Sequence, residues 1–200
     1  MDWSDFPART WKAATPLYRI HREGREPAWF NATGEMRFDP PAAHGDDFGT
    51  CYTATSAIAA YVEVLGRFRA LVPAHVIEGR RLAVLSCRKN LRLADLTDPS
   101  ILGRYGVDGS ISMSSRDDYD EPQQVAGELW SAGFNGIFFR VRHDPSMKLE
   151  GVALFNKPGE TRTMFRAPRS ARIPSDLIEE GRSVYGIEVE RTMRSSWSLM

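Results

Sequence analysis

The chain has 200 residues, enough for one domain of ordinary size whose apolar core needs neither a metal nor a disulfide for stability. Its 26 basic and 26 acidic residues cancel, so the net charge does not favour a nucleic acid or an anionic membrane as a partner. Arginine greatly outnumbers lysine, which permits a phosphate-bearing ligand, although genomic base composition explains the same bias.

No run of the sequence approaches the roughly 18 apolar residues of a membrane span, and the first residues lack the apolar segment of a signal peptide. Cys51 and Cys87 stand in apolar stretches, where a free and buried thiol is the usual state. We therefore expect a cytoplasmic protein with reduced thiols and no membrane contact.

Residues 1–16 form a mixed aromatic and polar lead-in that is predicted to pack on the surface of the domain. Leu17–His21 then alternates apolar and polar residues, which predicts a half-buried strand that carries Arg19. Residues 22–49 are rich in Gly, Pro and Asp, and irregular stretches of this length often carry binding residues. Arg37 stands in this stretch between two apolar residues.

Residues 50–66 combine a short apolar strand with a helix, and Thr55 or Ser56 is predicted to cap the helix N-terminus through its hydroxyl oxygen. The apolar residues of the helix form one broad arc, and Glu63 lies nearly opposite the centre of that arc. Since charges on the polar face of a helix are the norm, the pattern alone favours a solvent-exposed Glu63.

The rest of the chain mixes strands and helices without the regular βαβ order of a doubly wound fold. Its predicted core strands are residues 82–87, 91–96, 137–141 and 151–156. A turn at residues 88–90 is predicted to join the first two as a hairpin-like pair. We predict one α+β domain over residues 17–157, with a mixed or mostly antiparallel split sheet flanked by helices. Residues 158–200 are predicted as an extension packed on the same domain.

Familiar catalytic and cofactor motifs are absent from the sequence: it has no CxxC or HExxH spacing, no nucleophile elbow and no glycine-rich nucleotide loop. The four histidines are far apart, and His143 with Asp144 is typical of a polar cluster on a surface loop. Neither cysteine has the polar, cationic surroundings that activate a thiol. No metal and no tightly bound cofactor are therefore expected.

A looser set of candidate site residues consists of Arg19, Arg37, Tyr52 and Glu63. They would converge if the first strand pairs near Tyr52. Arginine binds phosphate oxygens with two parallel bonds, and an aromatic ring stacks on a base. A carboxylate can hold a ribose hydroxyl and stabilise positive charge at the anomeric carbon. Such sets of four are common, so this one alone is weak evidence for a dinucleotide site.

Six stretches resemble the RES-domain family, in the family's order: LYRI at 17–20, RF at 37–38, CYTATSAIAAYVEVL at 51–65, the run 119–126, GFNGIFF at 133–139 and GVALF at 151–155. Each stretch is loose by itself, and together they are fairly specific. The resemblance implies an α+β fold similar to ADP-ribosyltransferases and diphtheria-type toxins. Many family members are toxins of bacterial toxin–antitoxin pairs, encoded beside an Xre-like antitoxin.

The resemblance further implies that NAD is a substrate, cleaved at the nicotinamide–ribose bond by phosphorolysis or hydrolysis, or used to transfer ADP-ribose to a protein. Arg19 and Arg37 match the two arginines of the family, Tyr52 its tyrosine and Glu63 its helix glutamate. Arg19 and Glu63 are thereby implied as catalytic, and Arg19, Arg37 and Tyr52 as NAD-binding.

The serine of the family has no match, because Val141 occupies its place in this sequence. Ser146 in the following loop is a candidate substitute for binding NAD. The missing serine keeps open a degenerate domain that binds a nucleotide or a partner protein without catalysis. An Xre-like antitoxin and self-association are both open as partners. The arginine-rich run 162–172 is either a partner surface or a solvated tail.

Overall fold

A mixed eight-stranded sheet forms the centre of the protein, and the helices pack against it. The computed structural model describes residues 2–68, 71–115, 118–160 and 163–190. The strands are β1 (Ala8–Trp11), β2 (Pro16–Arg22), β3 (Trp29–Phe30), β4 (Gly49–Ala54), β5 (Leu71–Val72), β6 (Arg80–Ser86), β7 (Leu91–Asp95), β8 (Gly136–Arg140), β9 (Glu150–Asn156), β10 (Gly159–Glu160), β11 (Arg169–Arg172) and β12 (Glu188–Val189). The helices are α1 (Ala57–Leu65), α2 (Ala74–Glu78), α3 (Ser100–Tyr105), α4 (Asp120–Ser131) and α5 (Ser175–Tyr185).

The strand order across the large sheet is β1-β7-β8-β9-β4-β2-β6-β11, and the two pairs β3–β10 and β5–β12 lie outside it. In the large sheet only β7 and β8 run parallel. The α+β class and the mostly antiparallel sheet are thus confirmed. At the centre, β2 and β4 share a single pair, Tyr18 opposite Ala54, so the sheet divides there into two halves.

The predicted hairpin between residues 82–87 and 91–96 is wrong. Four strands separate β6 from β7 in the sheet, so the turn at residues 88–90 joins strands that never pair. By contrast, β8 and β9 are neighbours and run antiparallel. Turn residues favour a change of chain direction, whereas the partner of a strand depends on which strands bury its side chains, and this is not a local property.

The chain ends add the outermost strands of the sheet. In the N-terminal lead-in, β1 pairs with β7, and Phe6 is only 1% exposed in the core rather than on the surface. In the C-terminal extension, β11 pairs with β6 at the opposite edge. Arg162 and residues 191–200 lie outside the described residues.

The two faces of the sheet carry different apolar clusters, because successive side chains of a strand point to opposite faces. The back cluster includes Leu17, Cys51, Cys87, Phe138 and Leu154. The opposite, front face carries two clusters. The α4 cluster includes Phe38, Leu129, Phe139 and Phe155, and the α1 cluster includes Ile20, Tyr61, Leu65 and Leu177. Cys51 and Cys87 are free and buried, as expected.

Helix α1 begins as the sequence predicts. The hydroxyl oxygen of Ser56 accepts a hydrogen bond from the backbone N–H of Ala59 at 3.2 Å, which satisfies a donor that has no partner within the helix. The buried side of α1 includes Ala59, Tyr61 and Leu65. Among the described residues, no helix is both long enough and apolar enough to span a bilayer.

Helix α5 packs closely on α1 at Gly181, and this contact generates a stability prediction. A Cβ atom added to Gly181 would lie 2.4 Å from Cε1 of the Tyr61 ring, far inside van der Waals contact. Gly181→Ala should therefore lower the free energy of unfolding by about 1–3 kcal/mol, measured by urea denaturation. Gly103, a helical glycine of α3 with no atom within 4 Å of its added Cβ, is the control. Gly103→Ala should raise stability by roughly 0.5–1 kcal/mol, and equal effects at the two sites would contradict the packing described.

Candidate functional site

The candidate site lies on the front face of the sheet, where the α1 cluster and the α4 cluster meet. Its centre is an ion pair in which the Nη2 atom of Arg37 lies 3.1 Å from Oε1 of Glu63. Glu63 belongs to α1, whereas the guanidinium of Arg37 lies 5.3 Å from the ring centroid of Phe139 in the α4 cluster. The ion pair therefore connects the two clusters, and the place where they meet is called the cleft below.

The two partners differ in exposure, which gives the site an open side. Arg37 is 5% exposed, and its Nη1 donates a hydrogen bond to the carbonyl oxygen of Ser112. The Glu63 side chain is 20% exposed. A side chain as deeply buried as that of Arg37 is charged in a folded protein only when it has a partner of opposite charge. Of the two partners Glu63 is the more exposed, so a ligand would approach the pair from its side.

The second oxygen of Glu63 is also bound. Oε2 accepts a hydrogen bond from the backbone N–H of Arg142 at 3.3 Å, and the Arg142 guanidinium donates to the carbonyl of Ser114 at 2.8 Å. Burial raises the pKa of Glu63, and the charge of Arg37 together with the N–H and charge of Arg142 opposes that rise. The carboxylate thus has a cation on one oxygen and a backbone donor on the other, which favours its ionised form.

Arg37 has a donor that the protein does not use. Its Nε atom is buried and has no hydrogen-bond partner among the described residues. A buried donor without an acceptor costs free energy of about 1–3 kcal/mol. The other two nitrogens are held by Ser112 and Glu63, so the guanidinium is fixed in place before any ligand binds.

The loop that carries Arg37 is anchored to the sheet by Tyr52 and Thr50 of β4. The Tyr52 hydroxyl accepts a hydrogen bond from the backbone N–H of Phe38 at 2.7 Å and donates to Oδ1 of Asp39 at 3.3 Å. The Thr50 hydroxyl donates to the carbonyl of Phe38 at 2.6 Å. Tyr52 therefore fixes the backbone immediately beside Arg37, which is a positioning role in addition to the stacking role predicted for its ring.

Asp39 completes this anchor from inside the loop. It is fully buried, and its Oδ2 accepts hydrogen bonds from the Asn31 side chain at 2.7 Å and from the Met36 backbone at 3.2 Å. Burial raises the pKa of Asp39 to about 6, although these bonds and that of Tyr52 favour the charged form. The loop is thus held by one carboxylate with three donors.

Positive charge surrounds the carboxylate of Glu63 on the side of α1 that faces the loop after β8. His143 lies there against Gly66, where an added Cβ would stand 2.6 Å from the Cβ of His143. Burial and the charges of Arg142, Arg37 and Arg67 lower the pKa of His143 to about 4, so this imidazole is neutral at pH 7. The carboxylate of Glu63 therefore has two arginine charges near it, those of Arg37 and Arg142, a balance that favours an anionic ligand.

The structure brings Arg37, Tyr52 and Glu63 to one face of the sheet, but Arg19 lies on the other face. Its guanidinium donates to the carbonyls of Pro27 at 2.9 Å and Trp29 at 2.8 Å, and to the Cys51 sulfur at 2.7 Å. Cys51 belongs to the back cluster, whereas its neighbour Tyr52 packs against the α4 cluster. The first strand does pair near Tyr52, yet the expected convergence of all four side chains does not occur.

Neither Val141 nor Ser146 places a hydroxyl group beside Glu63 in the way expected of the family serine. Val141, in the place of the family serine, is fully buried in the α1 cluster and brings no hydroxyl to the cleft. Ser146 is exposed, and its hydroxyl donates to Oδ1 of Asp144 at 2.7 Å. Asp144 is 1% exposed and accepts backbone N–H groups of the loop, so it is a structural centre of the loop rather than a surface residue.

The sequence did not indicate three residues of the site: Asp39, Arg142 and His143. Asp39 directly follows the Arg37-Phe38 motif, which was the only signal for it, because its burial is a property of the folded chain. Arg142 and His143 follow the apolar strand β8 at the place where the family serine was sought. No group of three or more His, Cys, Asp or Glu side chains in the described parts of the chain could hold a metal ion.

Comparison with known families and structures identifies the family and the fold. A family model described as the RES domain matches residues 16–174. The chain belongs to the RES-domain family. This RES-domain chain is also similar to the toxin in the crystal structure of the M. tuberculosis MbcT–MbcA toxin–antitoxin complex. That match has a TM-score of 0.58 and 21% identity, covers 81% of this chain and 86% of the other, and at this identity concerns the fold. A comparison with curated proteins found no significant match.

The buried Asp39 predicts a pH dependence of stability for this RES domain. A carboxyl whose folded pKa is about 6 binds its proton more tightly in the folded state than in the unfolded state. Stability from this group is therefore present below pH 4 and is lost as the pH rises to about 6, a change of about 3 kcal/mol at most. Asp39→Asn should make the decline between pH 4 and 6 shallower, as measured by urea denaturation across that range.

Asp46→Asn, at an exposed position, is the matched control and should leave the pH dependence unchanged. Glu63, whose pKa is also raised, keeps part of the decline in both variants. An Asp39→Asn profile identical to that of the unmodified protein would show that Asp39 ionises normally in the folded state.

Proposed function

We propose that this RES domain cleaves the bond between nicotinamide and ribose in NAD. The observation that carries the proposal is the Arg37–Glu63 pair, in which a partly exposed glutamate side chain lies beside an arginine with a donor that the described residues do not use. NAD carries both of the chemical features that such a pair suits. Its pyrophosphate offers oxygens to arginine, and its ribose develops positive charge when nicotinamide leaves.

In the proposed reaction, the C–N bond between ribose and nicotinamide breaks, and its electron pair leaves with nicotinamide, which becomes neutral. Positive charge develops on the ribose, and the carboxylate of Glu63 stabilises it. Phosphate, water or a protein side chain then donates an electron pair to the same carbon and loses its proton. Arg37 and Arg142 are assigned to the pyrophosphate, because both belong to the cleft that contains Glu63.

The remaining candidates contribute in different ways. Tyr52 holds the Arg37 loop through its hydroxyl, and base stacking by its ring is proposed in addition. Arg19 and Ser146, whose side chains are bound elsewhere, are not needed for the proposed step. Their direct roles towards NAD stay predictions that substitution of each would test.

We further propose that the protein acts in the cytoplasm as the toxin of a toxin–antitoxin pair. The fold likeness to the toxin of the MbcT–MbcA complex supports an antitoxin partner. Induced expression of the chain in bacteria should arrest growth, and Glu63→Gln should abolish the arrest. Rescue by a small helix-turn-helix protein encoded in a neighbouring frame would support the pair, whereas growth arrest that persists in Glu63→Gln would contradict NAD depletion as its cause.

The enzymatic proposal predicts a large effect of a small substitution. Purified protein incubated with NAD and phosphate should release nicotinamide, and Glu63→Gln should lower kcat at least 100-fold, because the amide cannot offset positive charge in the transition state. Glu128→Gln, on the exposed side of α4, is the control and should retain full activity.

Arg37→Lys keeps the charge but loses the planar fork, so it should raise KM more than it lowers kcat.

Thermal unfolding of each variant separates lost catalysis from lost folding, because Glu63→Gln removes the counter-charge of the buried Arg37. Equal nicotinamide release by the unmodified protein and a folded Glu63→Gln variant would overturn the proposal. Omitting phosphate identifies the acceptor, and NAD labelled in its adenine part would reveal transfer of ADP-ribose to protein.

A second candidate function is supported by Val141. Because this residue is buried and apolar, the cleft lacks the hydroxyl that the family serine provides. The alternative function is therefore binding alone. Such a domain would bind NAD without cleaving it, or it would bind a partner protein. Calorimetry that detects tight NAD binding without turnover would favour it, and measured turnover would exclude it.

A further inference from the structure

A second group of arginines lies away from the Arg37–Glu63 pair, at the end of the sheet where β2 ends and β6 begins. Arg80 of β6 stands directly opposite Arg22 of β2 in the antiparallel ladder. Like charges in opposing positions of a sheet destabilise it. Two such residues at one ladder position therefore need a source of negative charge.

No ion pair within the described part of the chain provides that charge to Arg80. Arg80 is half-buried, and no carboxylate among the described residues lies within ion-pair distance of its guanidinium. Neighbouring Arg81, by contrast, pairs with Glu23. Burial and the charges of Arg67 and Arg22 lower the pKa of Arg80. An arginine stays charged at neutral pH even so, and this half-buried cation has no ion-pair partner among the described residues.

A cavity adjoins this cation. It has a volume of about 470 Å³ and is lined by Arg80, Arg81, Arg172, Glu23 and Glu78 and by three isoleucines, Ile77, Ile173 and Ile178. Small-molecule sites of proteins usually have volumes of this order. Five charged side chains and three isoleucines line this one, so it suits a ligand with both charged and apolar parts. None of these lining residues takes part in the Arg37–Glu63 site.

We propose that this cavity is a binding site for a phosphorylated small molecule of the nucleoside or sugar phosphate class. The phosphate accepts hydrogen bonds from the guanidinium of Arg80 and offsets the repulsion between Arg80 and Arg22. A phosphate suits this position because it carries up to two charges and matches the planar guanidinium with two parallel bonds. The isoleucines contact the apolar face of the base or sugar, and the carboxylate side of the cavity accepts from its hydroxyl groups.

The test uses the full-length protein with its isoleucine methyl groups labelled for NMR, and AMP as the probe. AMP should shift the methyl signals of Ile77, Ile173 and Ile178 along a saturable curve, while Ile101 and Ile137 of the α4 cluster stay unchanged. Adenosine, which lacks the phosphate, should bind at least tenfold more weakly. Because the signals report on position, the result does not depend on whether NAD is cleaved.

Two variants show whether Arg80 is the phosphate ligand. Arg80→Gln should weaken AMP binding at least tenfold and, without AMP, should unfold at an equal or higher temperature, because the repulsion with Arg22 is gone. Arg104→Gln, an exposed arginine of α3, should leave the affinity unchanged. The proposal is overturned if the three methyl signals do not saturate, if adenosine binds as well as AMP, or if Arg80→Gln binds AMP like the unmodified protein.

Discussion

The site and the fold depend on the same interaction, the ion pair between Arg37 and Glu63. An arginine that is 5% exposed keeps its charge, so the α4 side of the cleft is stable only when the α1 side supplies a carboxylate. Glu63 in turn would be an uncompensated buried acid without Arg37. The anchor made by Tyr52 and Asp39 serves this pair, because it fixes the backbone on both sides of the loop position from which Arg37 extends. The groups that would bind a ligand are thus held by contacts that also close the core.

The sequence was sufficient for features that depend on neighbouring residues. The cap of α1 was limited to Thr55 or Ser56 by a hydroxyl beside an unpaired N–H, and the structure selects Ser56. The arc of apolar residues on α1 follows from helical geometry. Glu63 does lie away from the centre of that arc. The periodicity could not show that the loop of Arg37 and the backbone of Arg142 cover this side of the helix, because both come from distant parts of the chain.

Arg19 shows why the convergence of the site residues could not be predicted from the sequence. The alternating residues of β2 correctly predict a half-buried strand. The ladder between β2 and β4 sets Tyr18 opposite Ala54, however, and this places Arg19 on the same face as Cys51. A register shifted by one residue would have reversed that outcome, and no local pattern fixes the register of strands this far apart. The same limit applies to β6 and β7. For Asp39 and His143, function and burial depend on contacts that only the folded chain creates.

The single pair between β2 and β4 gives the sheet a weak line along its middle. Elements with few shared hydrogen bonds open locally at a lower free energy than the whole domain. Glu63 belongs to α1, the helix that follows β4, and this helix packs on the β2 side through the α1 cluster, whereas Arg37 packs on the α4 side. A ligand bound to both would therefore span this line and act as a clamp on it. Substrate binding would then slow amide exchange at Tyr18 and Ala54, although neither residue belongs to the cleft.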